Sequence, residues 1–177
     1  MRQAHVAPRD PLTRLVLDSD VASTLPDAGF AGREYPVTAP YSVGREKIRE
    51  FATAVGSQHP AHHDLVAARG LGYPDLVAPP TFAVVVAQRA ESQYVADPAA
   101  GIDFSRVVHA DEQFTHHRPI VAGDELVTIL HVDAVTQRSS ISMVTTRCEI
   151  HAASPEGAPG EHVATVTSSL VVRGEDA

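Results

Sequence analysis

Apolar and polar positions recur with two different periods along this chain, and the change falls near Gly101. Upstream, Ile48, Phe51, Ala52 and Val55 lie at i, i+3, i+4 and i+7, while Arg45, Glu46, Lys47, Arg49 and Glu50 fill much of the remaining surface. That spacing predicts a short amphipathic helix in SVGREKIREFATAV, with Ser42 as its N-cap, Glu46 in its first turn and Gly56 at its end. A second helix is predicted after Pro79-Pro80, with Thr81 as its cap. Its core, FAVVVAQRA, is apolar almost all round, which implies burial on most sides. The β-branched valines also suit a strand, and continuation of the pattern to Tyr94 favours the helix.

Beyond Gly101 the period is two. Leu126, Thr128, Leu130, Val132 and Ala134 alternate with Val127, Ile129, His131 and Asp133. Ser142, Val144, Thr146, Cys148 and Ile150 form a second such row, and Ala164, Val166, Ser168, Leu170 and Val172 a third. These rows predict strands with one face turned inward. Gly123-Asp124 reads as a turn before the first, and SPEGAPG (Ser154 to Gly160) as a hairpin between the last two. No helical crossover fits between them, so the sheet is antiparallel.

The order is therefore helix, loop, buried helix, then long antiparallel strands. One sheet face needs covering, and the apolar helix is the available cover. The predicted class is α+β, a single hot-dog fold with an antiparallel sheet wrapped around a long buried helix. Half of such a helix commonly meets a second subunit, so a dimer is expected. Residues 1–30, with their prolines, acids and the short patch Leu15-Val16-Leu17, read as a loosely attached N-terminal arm, and residues 31–177 as the domain.

Composition narrows the function without naming it. The 177 residues suffice for one ordinary domain. A formal charge of −8 without a basic cluster argues against a nucleic-acid surface. No run approaches the roughly 18 apolar residues a membrane span needs, and the acids in MRQAHVAPRDPLTRLVLDSD do not fit a signal peptide. The single cysteine, Cys148, excludes an intrachain disulfide, fits a cytoplasmic setting and falls on an apolar face as a core thiol.

The candidate chemistry lies in GSQHPAHHD, the loop that leaves the first helix. His59, His62 and His63 lie in a loop, so even the four-residue spacing of His59 and His63 is no helical ligand pair, and no metal is expected. The doublet His116-His117, at a predicted strand end, is placed at the surface. Glu112 is expected to face the helix beside Phe114, where a carboxylate is costly unless paired. No glycine-rich phosphate loop precedes a helix, so no nucleotide cofactor is expected.

Three segments, YSVGREKIREFATAVG, LGYPDLVAPPTF and RPIVAGDELVTILHVDAV, carry a family resemblance over about Arg33 to Arg173. In that order they resemble the MaoC-like hot-dog (R)-specific enoyl hydratases and (3R)-hydroxyacyl-thioester dehydratases. The likeness is strongest to the actinobacterial FAS1-like dehydratase domains, a branch that includes small subunits which pair in mycolic-acid elongation. The family's loop runs Gly-Asp-x-Asn-Pro-aliphatic-His, with a small residue further on. On this chain the resemblance places it at Gly56, Ser57, His59, Pro60, His62 and Ala68. The catalytic Asp position is thus Ser57, which holds water but is no base at neutral pH.

The resemblance implies His62 as the acid–base residue and Ser57 as its water-holding partner, with Asp64 as a substitute if the loop bends. His59, Pro60, Thr81 and Phe82 would contact substrate, an acyl-CoA or acyl-ACP thioester held beside the buried helix. Backbone N–H groups near the start of that helix would meet the thioester oxygen, with Pro80 contributing none. The first expectation is a dehydratase or hydratase without metal or cofactor, as a homodimer or a heterodimer with a MaoC-like subunit. A second is a non-catalytic acyl-binding subunit that stabilises a catalytic MaoC-like partner. A third is a hot-dog thioesterase, for which Glu91 and Gln88 are the candidates on the buried helix.

Overall fold

The alternating rows do form strands. The computed structural model describes residues 25–174. Three long antiparallel strands dominate: β4 (Glu125–Arg138), β5 (Ile141–Ala153) and β6 (Pro159–Arg173). A further strand, β3 (Val107–His116), pairs with β6, and two short ones, β1 (Arg33–Glu34) and β2 (Tyr41–Ser42), pair with β4. The sheet order is β1-β4-β5-β6-β3, with β2 also on β4. All pairings are antiparallel. β3 therefore forms one edge of the sheet.

The inward rows are those the period of two selects. Ser142, Val144, Thr146, Cys148 and Ile150 are buried, as are Ala164, Val166, Ser168, Leu170 and Val172. On β4 the agreement ends at Val132. The register slips between Val132 and Ala134, so Val135 rather than Ala134 packs against the core. A bulge adds one residue and moves every later side chain to the other face, which strict alternation does not anticipate. The β4–β5 turn is Ser139-Ser140, with Ser139 in the left-handed region at φ 53°.

Against this face lies the second helix. A single 3₁₀ turn, Pro80–Phe82, runs into α3 (Ala83–Val95). Ala83, Val86, Ala87, Ala90, Glu91 and Tyr94 make its buried stripe. The alanines let the helix sit close to the sheet, and the aromatic end is filled by Phe30 and Tyr35 around Tyr94 at 5.8 and 6.1 Å between ring centres. Burial and the neighbouring Asp97, which accepts its hydroxyl at 3.1 Å, push the Tyr35 phenol up to about 12. Gln88, Arg89 and Ser92 face outward, so in the single chain the helix is covered on one side only. None of the described helices is long and apolar enough to cross a membrane.

The first helix, α1 (Arg45–Ala54), buries Ile48 and Ala52 and half-buries Phe51, while Val55 beyond its end stays 49% exposed. Gly56, at φ 71°, ends it as expected. Ser42 does not cap it: Gly44 holds the N-cap position, and the Ser42 hydroxyl bonds to Glu125 from within β2. Thr81 is likewise no cap, because the 3₁₀ turn places it inside the helical run.

Most of the expected N-terminal arm lies outside the described residues. Its last part is attached: Phe30 is buried, Gln137 donates to the Pro26 carbonyl at 2.7 Å, and Asp27 N–H donates to Ala100.

Candidate active site

The histidine-rich loop folds into two short elements. Pro60–His62 forms a 3₁₀ turn, and α2 (Leu65–Gly70) follows. Proline suits the first position of the turn, where its missing N–H is not needed. His59 caps the turn by accepting the Ala61 N–H on Nδ1 at 3.3 Å. Asp64 caps α2, accepting from the Ala67 N–H at 2.9 Å. The Asp64 carboxylate is thus committed to a helix end, not offered as a substitute base.

His62 is the one imidazole of the loop that turns inward, 7% exposed. Its Nδ1 lies 2.6 Å from the Val77 carbonyl oxygen. A carbonyl only accepts, so Nδ1 carries the proton and Nε2 is left as the basic nitrogen. The ring lines a cavity of about 550 Å³ at the start of the central helical run. One wall is His59, Ala61 and His62; another is Val77 to Pro80; a third is His116 to Ile120, with Tyr73 completing the lining. The backbone holds these walls together. Val77 N–H donates to Ala61, Ala78 N–H to Ile120 and Ala122 N–H to Leu76.

Ser57 is not in this cavity. It lies with Thr53, Gly56, Gln58 and His63 around a separate depression, and its carbonyl takes the Nε2–H of His63 at 2.9 Å. The turn that buries His62 leaves Ser57 on the far side of the loop. The expected pair is therefore not brought together. Pro60 and Thr81 are exposed and outside the lining. Phe82 is fully buried edge-to-face on Phe51 at 5.4 Å, and its N–H is spent on the Pro79 carbonyl at 2.8 Å. Of the expected contacts only His59 and His62 reach the cavity, together with Ala78, Pro79 and Pro80 from the helix approach.

The doublet His116-His117 is exposed, as expected, and also forms part of the lining. His116 donates Nε2–H to the Pro80 carbonyl at 2.8 Å, a contact between the end of β3 and the start of the helical run. His117 packs on His162, with ring centres 4.2 Å apart, and His151 stacks on the other side at 4.8 Å. Partial burial, with His117 and His151 alongside, lowers the tendency of His162 to protonate. Arg118 is held by Asp124 at 2.8 and 3.1 Å and by Glu161 at 2.9 Å, which fixes the turn at Gly123-Asp124 as well as the cavity rim.

Glu91 sits elsewhere. It is 4% exposed, accepts the Thr146 hydroxyl at 2.7 Å, and borders a second cavity of about 430 Å³ with Gln88, Ser92, Val107 and His109. Glu112 faces the same interior, with Ser168 donating at 3.3 Å, and burial together with the Glu91 charge raises its carboxyl above the ordinary range. Burial also raises the Cys148 thiol, which leaves it a packing group.

A sheet wrapped round one helix, with a histidine cavity at the helix start, defines a hot-dog protein of the MaoC-like dehydratase class. The structure is similar to the C-terminally truncated HadBC (3R-hydroxyacyl-ACP dehydratase) complex from Mycobacterium tuberculosis, with a TM-score of 0.67 and 33% identity over 80% of this chain and 96% of that one. It is similar also to a MaoC-like dehydratase, with a TM-score of 0.72 and 33% identity, covering 83% of this chain but 43% of that longer one. The family model for the FAS1-like dehydratase domain region matches residues 29–166, and the chain belongs to that family. Among its relatives are UPF0336 proteins of Saccharopolyspora erythraea, 51% identical over 84% of this chain and 92% of that protein, and of Leifsonia xyli, 52% identical over 82% and 94%.

Proposed function

We propose that the protein is a (3R)-hydroxyacyl-thioester dehydratase, which in reverse hydrates (R)-specifically, acting on acyl-CoA or acyl-ACP without a metal. The observation that carries this is His62, a buried imidazole with Nδ1–H tethered to Val77 and Nε2 free, in a largely apolar cavity beside the central helix. A thioester of modest chain length suits a cavity of about 550 Å³. The chemistry needs a base for the proton α to the thioester and an acid for the leaving hydroxyl. Hydration of a short trans-2-enoyl-CoA by the purified protein tests the reading. His62→Ala is expected to lower the rate by about 10²–10⁴. A wild type that does not hydrate the enoyl thioester, alone or with a partner, would sink it.

A second reading has its own support: Ser57, which the resemblance places at the family's aspartate position, lies outside the His62 cavity. In that case the chain is an acyl-binding subunit that completes a catalytic MaoC-like partner. The 33%-identical HadBC structure is of a complex, and the edge strand β3 of this chain is open to pairing. Sedimentation of the isolated protein separates the two. A stable homodimer favours the autonomous enzyme, whereas protein soluble only on coexpression with a MaoC-like subunit favours the obligate pair.

A further inference from the structure

Among the described residues no carboxylate lines the His62 cavity; its candidate acid–base groups are imidazoles and the Tyr73 phenol. Among the lining residues Arg118 is held by two acids and cannot titrate near neutrality. His59 accepts the Ala61 N–H on Nδ1, so it could become an imidazolium, the acid form, only by giving up that bond. His117 is packed against His162. His116 differs from all of these. It is anchored as His62 is, by one N–H on a main-chain carbonyl, at 2.8 Å on Pro80 against 2.6 Å on Val77. In both rings the anchored nitrogen bears a proton and the other is left to accept or release one. The two anchoring carbonyls are three residues apart in the segment that leads into the 3₁₀ turn, at most about 11 Å of chain. Both rings line one cavity, His62 from the wall of the loop and His116 from the wall at the end of β3.

The geometry points to His116 as the second catalytic residue, so that a His62–His116 pair performs the acid–base work that the family assigns to an aspartate and a histidine. This rests on the dehydratase reading and names the partner that Ser57 does not supply. In dehydration, neutral His62 takes the proton from C2 through Nε2. The C2–H electron pair moves into the enolate of the thioester and then forms the C2–C3 double bond. The C3–O bond breaks, and protonated His116 gives its Nδ1 proton to the departing hydroxyl, which leaves as water. His62 ends protonated and His116 neutral. Solvent resets both, through the exposed ring of His116 and through water that has entered the cavity. Hydration runs the same steps backward, and no other reactant is needed.

The roles predict different sensitivities for two reactions. Hydration of crotonyl-CoA needs both rings; exchange of the C2 protons of butyryl-CoA with deuterium oxide needs only the base. His116→Gln keeps a side-chain N–H for the Pro80 carbonyl and cannot transfer the proton. It is expected to retain the wild-type melting temperature, KM and C2 exchange while losing at least about 100-fold in kcat for hydration. His62→Ala is expected to lose both reactions. A kcat for His116→Gln within threefold of wild type overturns the pair and leaves the dehydratase reading in place. Wild-type exchange without hydration also overturns the pair, since the acid is then missing. If the wild type catalyses neither reaction, the thioester reading falls and the pair falls with it.

Discussion

The two ends of the central helix hold titratable groups in opposite ways. At its start, imidazoles hang from main-chain carbonyls, His62 from Val77 and His116 from Pro80, and both rings line the cavity. Toward its other end, carboxylates are held by side chains of the sheet, Glu91 by Thr146 and Glu112 by Ser168. A backbone anchor fixes a ring's tautomer and leaves it ready for proton transfer. A hydroxyl anchor in the sheet interior instead offsets the cost of burying a carboxylate. On the proposed function, the first arrangement serves the chemistry and the second stability. Substitutions at the two ends should therefore separate rate from folding.

The largest effect belongs to His62→Ala, through the rate loss of about 10²–10⁴ given above, measured as kcat on the enoyl thioester. Its melting curve should shift far less than its rate. At the other end, Glu91→Ala should do the reverse. Removing the acceptor leaves the Thr146 hydroxyl buried and unpaired, which costs about 1–3 kcal/mol in urea unfolding, with kcat within twofold of wild type. A loss of kcat without loss of stability there would erase the contrast between the two ends and revive Glu91 as a catalytic group.

Glu112 sharpens the same point through pH. Its folded-state carboxyl is raised, so the native protein binds this proton more tightly than the unfolded chain does. The contribution to stability is therefore greatest at low pH and is lost as pH rises from the ordinary glutamate value, about 4.3, through the raised one. Glu112→Gln should be little different from wild type near pH 4 and more stable at pH 7, as unfolding curves at both would show. An equal difference at the two values would mean that its burial is not what matters. The smallest effect is expected from Ser57→Ala. With its side chain outside the His62 cavity, the hydration rate should stay within about twofold, and a fall of tenfold or more would return Ser57 to the mechanism.

The strands were the most legible part of the chain. On β5 and β6 each alternation is real because every second side chain faces the same helix and must be apolar or hydrogen-bonded. Two polar members fit as well, since Thr146 meets the buried Glu91 and Ser168 the half-buried Glu112, whereas the Ser142 hydroxyl is buried without a partner among the described residues. Where periodicity failed, it failed at a bulge near Asp133 and at caps near Ser42 and Thr81, features one residue wide with no periodic trace. The candidate site was only half visible. GSQHPAHHD pointed to the loop and the family resemblance singled out His62, yet spacing alone did not show which of the three rings turns inward. His116 looked like one of a surface doublet because its anchor, Pro80, lies 36 residues away.

By itself, then, the sequence determined the fold class, the central helix with its small-residue stripe and the loop that carries the histidines. Those properties follow from local periodicity and from burial, both of which act over a few residues. Only the tertiary structure decided that His62 faces the cavity while Ser57 does not, that His116 joins it from the end of β3, and that Glu91 belongs to another cavity. Each of these depends on backbone carbonyls and walls contributed by distant segments. Hydrogen-bond direction and cavity shape arise where the chain returns upon itself, and no spacing along the chain encodes them.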